Sequence, residues 1–158
     1  MKIAVGCDHA GFSLKQEMLP LLAKLGCEIL DVGAFDAQPS DYPDFAKKVA
    51  LAILSEQSER GILICGSGVG ASVAANKVPA IRSALCHDTF SARQGVEDDD
   101  MNVVCLGARV IGPALAAEVL KAFLSARFSG AERHVRRLNK VKAIEQEALR
   151  GVFSERGV

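Results

Sequence analysis

Apolar residues along the chain keep two alternating rhythms. Short, nearly unbroken runs recur as KIAVGC at 2–7, CEILDV at 27–32, RGILIC at 60–65, RSALCH at 82–87 and VVCLG at 103–107. Runs that are apolar on both faces predict strands of a parallel sheet covered on both sides. Between them the spacing changes to three and four. Leu14, Met18, Leu21, Leu22 and Leu25 mark a helix over 12–25, with Gly26 as its stop, and Phe45, Val49 and Ile53 mark another from Pro43 to about residue 55. Further helices are expected over 70–77, 89–96, 113–126 and 132–149. Pro20 conflicts with the first helix, so either a kink there or a later start is expected. Gly33, Pro39, Ser40 and Asp41 mark 33–42 as a loop.

Strands alternating with helices predict an α/β fold: one Rossmann-like, three-layer α/β/α domain with a five-stranded parallel sheet and a C-terminal helix. The domain is drawn over 1–150, with 151–158 as a tail. In such sheets ligands bind beyond the carboxyl ends of the strands. That rule gathers Cys7-Asp8-His9, Asp31, Cys65 to Gly70, His87-Asp88 and Gly107 to Arg109 on one edge.

Composition narrows the function classes. The 158 residues suit one domain, and 19 basic against 19 acidic side chains leave no formal net charge. That argues against a general nucleic-acid or membrane-surface binder. No apolar run is long enough for a membrane span, and Asp8-His9 follow the first strand too soon for a signal peptide. The five cysteines, Cys7, Cys27, Cys65, Cys86 and Cys105, are odd in number, lack any C-x-x-C and sit in or beside strand-like runs. Free thiols in a reducing cytoplasm are expected, with neither a disulfide framework nor a metal site.

The chemistry concentrates where RGILIC meets Gly66-Ser67-Gly68-Val69-Gly70-Ala71. Glycines let a backbone approach a ligand with several N–H groups aimed at it, and a following helix adds its positive end. A cysteine at the lip of such a cradle is expected to have a lowered pKa and to serve as thiolate base or nucleophile; the plainer reading is one more core cysteine. The same turn matches G-x-G-x-x-A, with Asp88 near the acidic-residue spacing of a dinucleotide site, although Cys65 has no place in that reading. Asp8 and His9 either bind hydroxyls and move protons, or Asp8 merely caps a helix. In the last helix, Arg133, Arg136, Arg137 and Lys140 share about 100° of arc opposite Val135 and Leu138. That face is either a phosphate grip or a solvated surface. The acidic run Glu97 to Asp100 reads as a solvated loop or helix cap more readily than as a cation site.

Five segments together resemble the ribose-5-phosphate isomerase B and galactose-6-phosphate isomerase family: GCDHAGFSLK (6–15), DYPDFA (41–46), GILICGSGVGASVAANKVPAIRSALCHD (61–88), NVVCLGARVIG (102–112) and ERHVRR (132–137). The resemblance implies an aldose–ketose isomerase of a phosphorylated sugar, working through a cis-enediolate with no cofactor and no metal. It implies a homodimer, possibly a tetramer, whose active sites are shared between subunits. Cys65 would move the proton between C1 and C2. One branch uses a glutamate where this chain has Ala71, so the chain resembles the cysteine branch. Ser67 would assist proton movement between the oxygens, and the N–H groups of Gly66, Gly68, Val69 and Gly70 would hold them. Asp8 would bind substrate hydroxyls, while Tyr42 and Asn102 would line the site. His9, Arg109, Arg133 and Arg137 would grip the phosphate, the last two from the other subunit.

One departure stands out. Many members carry a ring-opening histidine in the loop before the fifth strand, where this chain has Asp98. Three routes stay open: an Asp98 protonated by crowding among carboxylates, an acid supplied by His87 or His9, or a substrate such as a tetrulose phosphate that needs little ring opening.

Overall fold

The computed structural model describes residues 1–153. Five strands form one sheet: β1 (Lys2–Cys7), β2 (Glu28–Gly33), β3 (Arg60–Cys65), β4 (Ser83–Leu85) and β5 (Val103–Gly107). Their order is β2-β1-β3-β5-β4, and every neighbouring pair is parallel. Six helices connect and cover them: α1 (Phe12–Lys24), α2 (Tyr42–Leu54), α3 (Val69–Ala75), α4 (Thr89–Asp99), α5 (Pro113–Ser125) and α6 (Glu132–Leu149). This is the expected three-layer α/β/α domain. No helix among the described residues is long and apolar enough to cross a membrane.

Interior strands β3 and β5 are buried from end to end, and β1 is buried after Lys2, as their apolar runs require. Right-handed crossovers place α1 and α2 on opposite faces, because the chain turns outward from β1 to β2 and then back across to β3. α2 packs with α3 on one face, and α5 packs with α1 and α4 on the other. The reversal between β1 and β3 makes a switch point, and the adjacent strand ends place Cys7 opposite Ile64. A crevice opens there by topology alone.

Several expectations shift by a turn or less. α1 begins at Phe12 and runs through Pro20, so the later start does not occur. Pro20 is exposed, so the carbonyl left without a donor faces solvent, while Leu14, Met18 and Leu22 anchor the other side. β4 is an edge strand of only three residues, shorter than 82–87; short edges limit unwanted strand pairing. α4 starts where Asp88 caps it, accepting Ser91 N–H at 2.7 Å, and runs on to Asp99, where Asp100 ends it at φ 52°. The acidic run is therefore a helix C-terminus, where negative charge is unfavourable. Arg82 offsets it, with Nη2 2.7 Å from Asp100 Oδ2 and Nε on the Asp100 carbonyl at 2.6 Å. On α6 the buried pair is His134 and Leu138, at i and i+4, and Val135 faces outward. The tail was drawn at 151–158, and its residues 154–158 lie outside the described residues.

Candidate active site

At the carboxyl edge of the sheet, the ends of β1 and β3 open into a cavity of about 330 Å³. Asp8, His9 and Ala10 form one wall, Cys65, Gly66, Ser67 and Gly70 the floor, and Tyr42, Arg109 and Val110 the rest. Two larger cavities lie elsewhere. One, about 520 Å³, sits between α6 and the β4 edge around Ile81, Met101, Leu138 and Val141, and no cysteine or histidine lines it. The other, about 670 Å³, carries Cys27 near the amino terminus without any acid or imidazole beside it except Glu118. Only the smallest of the three joins a thiol, a carboxylate and an imidazole.

Cys65 ends β3 and is 4% exposed. The turn after it folds back so that Gly68 N–H donates to Cys65 Sγ at 3.1 Å. Gly68 stands at φ 81°, a conformation that glycine adopts without strain, and begins α3 as its N-cap. Ser67 is exposed, and its Oγ accepts Val69 N–H at 3.3 Å. Gly70 lies under the Tyr42 ring: a Cβ there would stand 2.7 Å from Tyr42 Cζ. Backbone can thus line part of the floor because Gly66 and Gly70 lack side chains. The first N–H groups of any helix have no partner inside it; Gly68 and Val69 turn theirs to Cys65 Sγ and Ser67 Oγ, which leaves those of Gly70 and Ala71 for an oxyanion.

Burial pushes Cys7 and Cys86 up to about 11 and Cys105 up to about 12, and it raises Cys27 as well. Cys7 Sγ faces the Ala34 carbonyl, an acceptor that favours the protonated thiol. Among the described residues, Cys65 alone takes a backbone N–H on its sulfur.

Asp8 is 7% exposed, and its Oδ1 accepts Gly11 N–H at 3.0 Å, closing the turn into α1. His9 is clamped by Ser40: its own N–H donates to Ser40 Oγ at 3.0 Å, and its Nδ1 lies 3.0 Å from Ser40 O and 3.2 Å from Ser40 N. The loop that carries Ser40 and leads into Tyr42 is rooted on a buried cation. Lys15, fully buried on α1, reaches Asp31 Oδ1 and Oδ2 at 2.6 and 2.8 Å and the Ala34 carbonyl at 2.7 Å.

Other expected site residues lie apart. Asn102 does not line the cavity. It precedes β5 at the amino edge of the sheet, roughly 15 Å of strand from the carboxyl edge at about 3.3 Å per residue. There its amide ties Arg82 N–H at 2.8 Å and the Ala80 carbonyl at 2.9 Å. His87 sits beyond β4, where Nε2 accepts Gly107 N–H at 2.9 Å, an arrangement that puts the ring proton on Nδ1. It is not part of the cavity lining. Asp98 is held in the α4–α6 seam: Oδ2 accepts Gln94 Nε2 at 2.7 Å, and Oδ1 lies 3.2 Å from His134 Nδ1. Its partners are an amide and an imidazole, not a crowd of carboxylates. Arg133 and Arg137 are exposed on α6 and do not reach the cavity of their own chain. Sequence reasoning missed Lys15, Ser40 and His134. Only His134 left a trace, standing four residues before the apolar Leu138. Among the described residues, no three His, Cys, Asp or Glu side chains converge as a metal site.

Residues 3–141 match the family model described as Ribose/Galactose Isomerase. The chain belongs to the ribose/galactose isomerase family. Within that family it is 44% identical over 145 residues to ribose-5-phosphate isomerase B of Escherichia coli, covering 92% of this chain and 97% of that one. It is also 42% identical over 132 residues to a D-erythrulose-4-phosphate isomerase of Pectobacterium atrosepticum, covering 82% and 86%. Among solved structures, ribose-5-phosphate isomerase B of Clostridium thermocellum superposes with a TM-score of 0.91 at 45% identity, covering 94% of this chain and 99% of that one. The glycine turn of this isomerase-family chain follows the third strand, whereas a dinucleotide fingerprint follows the first.

Proposed function

We propose that this protein is an aldose–ketose isomerase of a small phosphorylated sugar, of the ribose 5-phosphate and ribulose 5-phosphate type, with Cys65 as the base. One observation carries the reading: a thiol at the end of a buried strand takes a backbone N–H on its sulfur and faces a cavity shared with Asp8 and His9. The Cys65 thiolate removes the C2 proton of the open-chain aldose. The electron pair moves into a C1–C2 double bond, O1 becomes an enediolate oxygen, and Cys65 returns the proton to C1. Backbone N–H groups of the Gly66 to Gly70 turn hold the developing charge on O1 and O2. Ser67 Oγ, exposed beside them, passes the proton between the two oxygens, and Asp8 receives substrate hydroxyls.

The phosphate falls to Arg109 in the cavity wall, with Arg133 and Arg137 of the partner subunit. On α6 these arginines are exposed and make no hydrogen bond or ion pair with any described residue of their own chain, which supports a homodimer with shared sites. Five free thiols support a reducing, cytoplasmic setting. Similarity to the D-erythrulose-4-phosphate isomerase supports the same chemistry on a four-carbon substrate as the second reading.

The test is a panel of four-, five- and six-carbon sugar phosphates followed by NMR in deuterated water. Interconversion with deuterium entering at the C1 or C2 position is expected for at least one pair. Turnover of none refutes the reading, and saturable NAD(P)H binding would favour an oxidoreductase instead.

A further inference from the structure

We infer that His87 is a positioning residue of the isomerase site, holding the end of β5 against the turn that carries Cys65. The inference deepens the isomerase reading above and rests on it. β4 and β5 part where the site begins. Cys86 N–H still donates to the Cys105 carbonyl at 3.1 Å. In a regular parallel ladder the next rung would run from Gly107 N–H to the Cys86 carbonyl. β4 has ended at Leu85, and the His87 imidazole takes that rung instead, with Nε2 accepting Gly107 N–H at 2.9 Å. Gly107 is buried, so without the ring its N–H would be left unpaired away from water. The ring is itself anchored on both sides. Cys86 before it is tied to β5, and Asp88 after it caps α4 through Ser91 N–H at 2.7 Å.

What Gly107 supports is the floor of the cavity. It is the partner of Cys65 in the β3–β5 ladder. The next two N–H groups, of Ala108 and Arg109, donate to the carbonyls of Cys65 and Gly66 at 2.9 and 3.0 Å. The C=O and N–H of a trans peptide point in opposite directions. Clamping those two carbonyls therefore aims the N–H groups of Gly66 and Ser67 away from β5. The contact is close: a Cβ on Gly107 would stand 2.5 Å from the Ser67 carbonyl oxygen, and one on Gly68 would stand 3.1 Å from Gly107 N. Gly68 is the residue whose N–H donates to Cys65 Sγ. The Arg109 side chain lies over Gly66, 3.6 Å from where a Cβ would be. A shift of Gly107 thus disturbs the bond on the thiol and the arginine of the cavity wall together. His87 transfers no proton in this role: it lies outside the cavity lining, and its Nε2 is already occupied.

Three substitutions separate the acceptor from the bulk of the ring. In His87→Gln the amide oxygen stands about as far from the backbone as Nε2 and can take Gly107 N–H. In His87→Asn the oxygen falls short, and His87→Leu has no acceptor. Each full-length variant is assayed for ribose 5-phosphate isomerisation per folded molecule, and for exchange of the Gly107 amide with deuterated water by NMR. His87→Asn and His87→Leu should lower kcat/KM by about 10-fold to 100-fold, the scale of a misplaced catalytic group. Their Gly107 amide should exchange about 10-fold faster. His87→Gln should stay within about 3-fold of the wild type in both measurements. Wild-type activity in His87→Asn and His87→Leu overturns the inference. So does faster Gly107 exchange with kcat/KM intact, the mark of a merely structural bond. His87→Gln as impaired as His87→Asn overturns it too, since the acceptor is then not what matters. If His87→Leu does not fold, the contrast between His87→Gln and His87→Asn decides. A wild-type protein that turns over no sugar phosphate overturns the isomerase reading itself, whatever the Gly107 amide does, so the two failures stay apart.

Discussion

Replacing Lys15 with methionine should be among the costliest single changes outside the cavity. The side chain is fully buried, while that of Asp31 is 25% exposed. Methionine keeps most of the aliphatic stem but removes all three Nζ hydrogen bonds, to Asp31 Oδ1, Asp31 Oδ2 and the Ala34 carbonyl. Breaking a buried pair from one side costs about 3–5 kcal/mol, because a charge stays behind without a partner. Partial access to water and the remaining Gly33 N–H bond soften the cost at Asp31, while the abandoned Ala34 carbonyl adds about 1 kcal/mol. A loss of about 3 kcal/mol results, which at an urea slope of about 2 kcal/mol/M moves the midpoint down by about 1.5 M. Urea unfolding at fixed protein concentration measures it. Asp31→Asn in the Lys15→Met background removes the stranded charge, so the double variant should be more stable than the sum of the singles by about 1–2 kcal/mol. A midpoint shift under about 0.3 M, or strictly additive singles, would refute the reasoning. The effect should reach function as well, since the loop rooted at Ala34 carries Ser40 and leads into Tyr42. A surviving fraction of Lys15→Met should bind substrate more weakly.

Cys65→Ala should lower kcat in both directions by about 10²–10⁴-fold, the scale of a lost proton-transfer group; a fully active variant sinks the assignment of the base. Gly70→Ala drives a methyl group to within 2.7 Å of the Tyr42 ring, and displacing that wall should reduce kcat/KM by about 10-fold or more in a steady-state assay. Unchanged kinetics would mean that the ring yields freely. Arg137→Ala should raise KM with kcat nearly constant if the arginine binds ground and transition states alike, and unaltered KM and kcat count against its phosphate role. At high pH the buried thiols set the trend. Cys7, Cys86 and Cys105 hold their protons to about 11, 11 and 12, against an ordinary value of 9.0. Unfolded chains lose those protons first, so the stability they contribute is complete below pH 9 and is lost as pH rises through 9 to 12. Each thiol adds a slope of about 1.4 kcal/mol per pH unit in that window. Unfolding midpoints between pH 8.5 and 10.5 should fall, and Cys86→Ala should fall less steeply; an identical slope refutes the thiol account.

Strand runs and helix spacings were enough to reach the sheet, its parallel sense and the placement of Cys65 at the head of a glycine turn. Each depends on local pattern, namely which residues are apolar, how they repeat and where glycine interrupts them. Asp8, His9 and Arg109 were legible at that edge as well, because parallel strands send every carboxyl end to the same side; Tyr42 entered only through the family resemblance. Lys15 was not. In sequence it is a polar position on a helix, and only Asp31 and Ala34, reaching it from across the β1–β2 edge, make its burial tolerable. Asn102 was misplaced because closeness to a strand in sequence does not say which end of the strand faces the ligand. Ser40 has no signature: its hold on His9 exists only once the β2–α2 loop folds over the end of β1.

Local patterning thus chose the elements, their order and the position of Cys65 at a strand end. Three-dimensional packing alone decided which of five thiols meets an N–H, which of three histidines meets the cavity and which carboxylates are tied up in ion pairs. The reason is range. Periodicity and turn chemistry act over a few residues of chain, whereas a pairing such as Lys15 with Asp31, or His9 with Ser40, spans a loop that only the completed sheet can close.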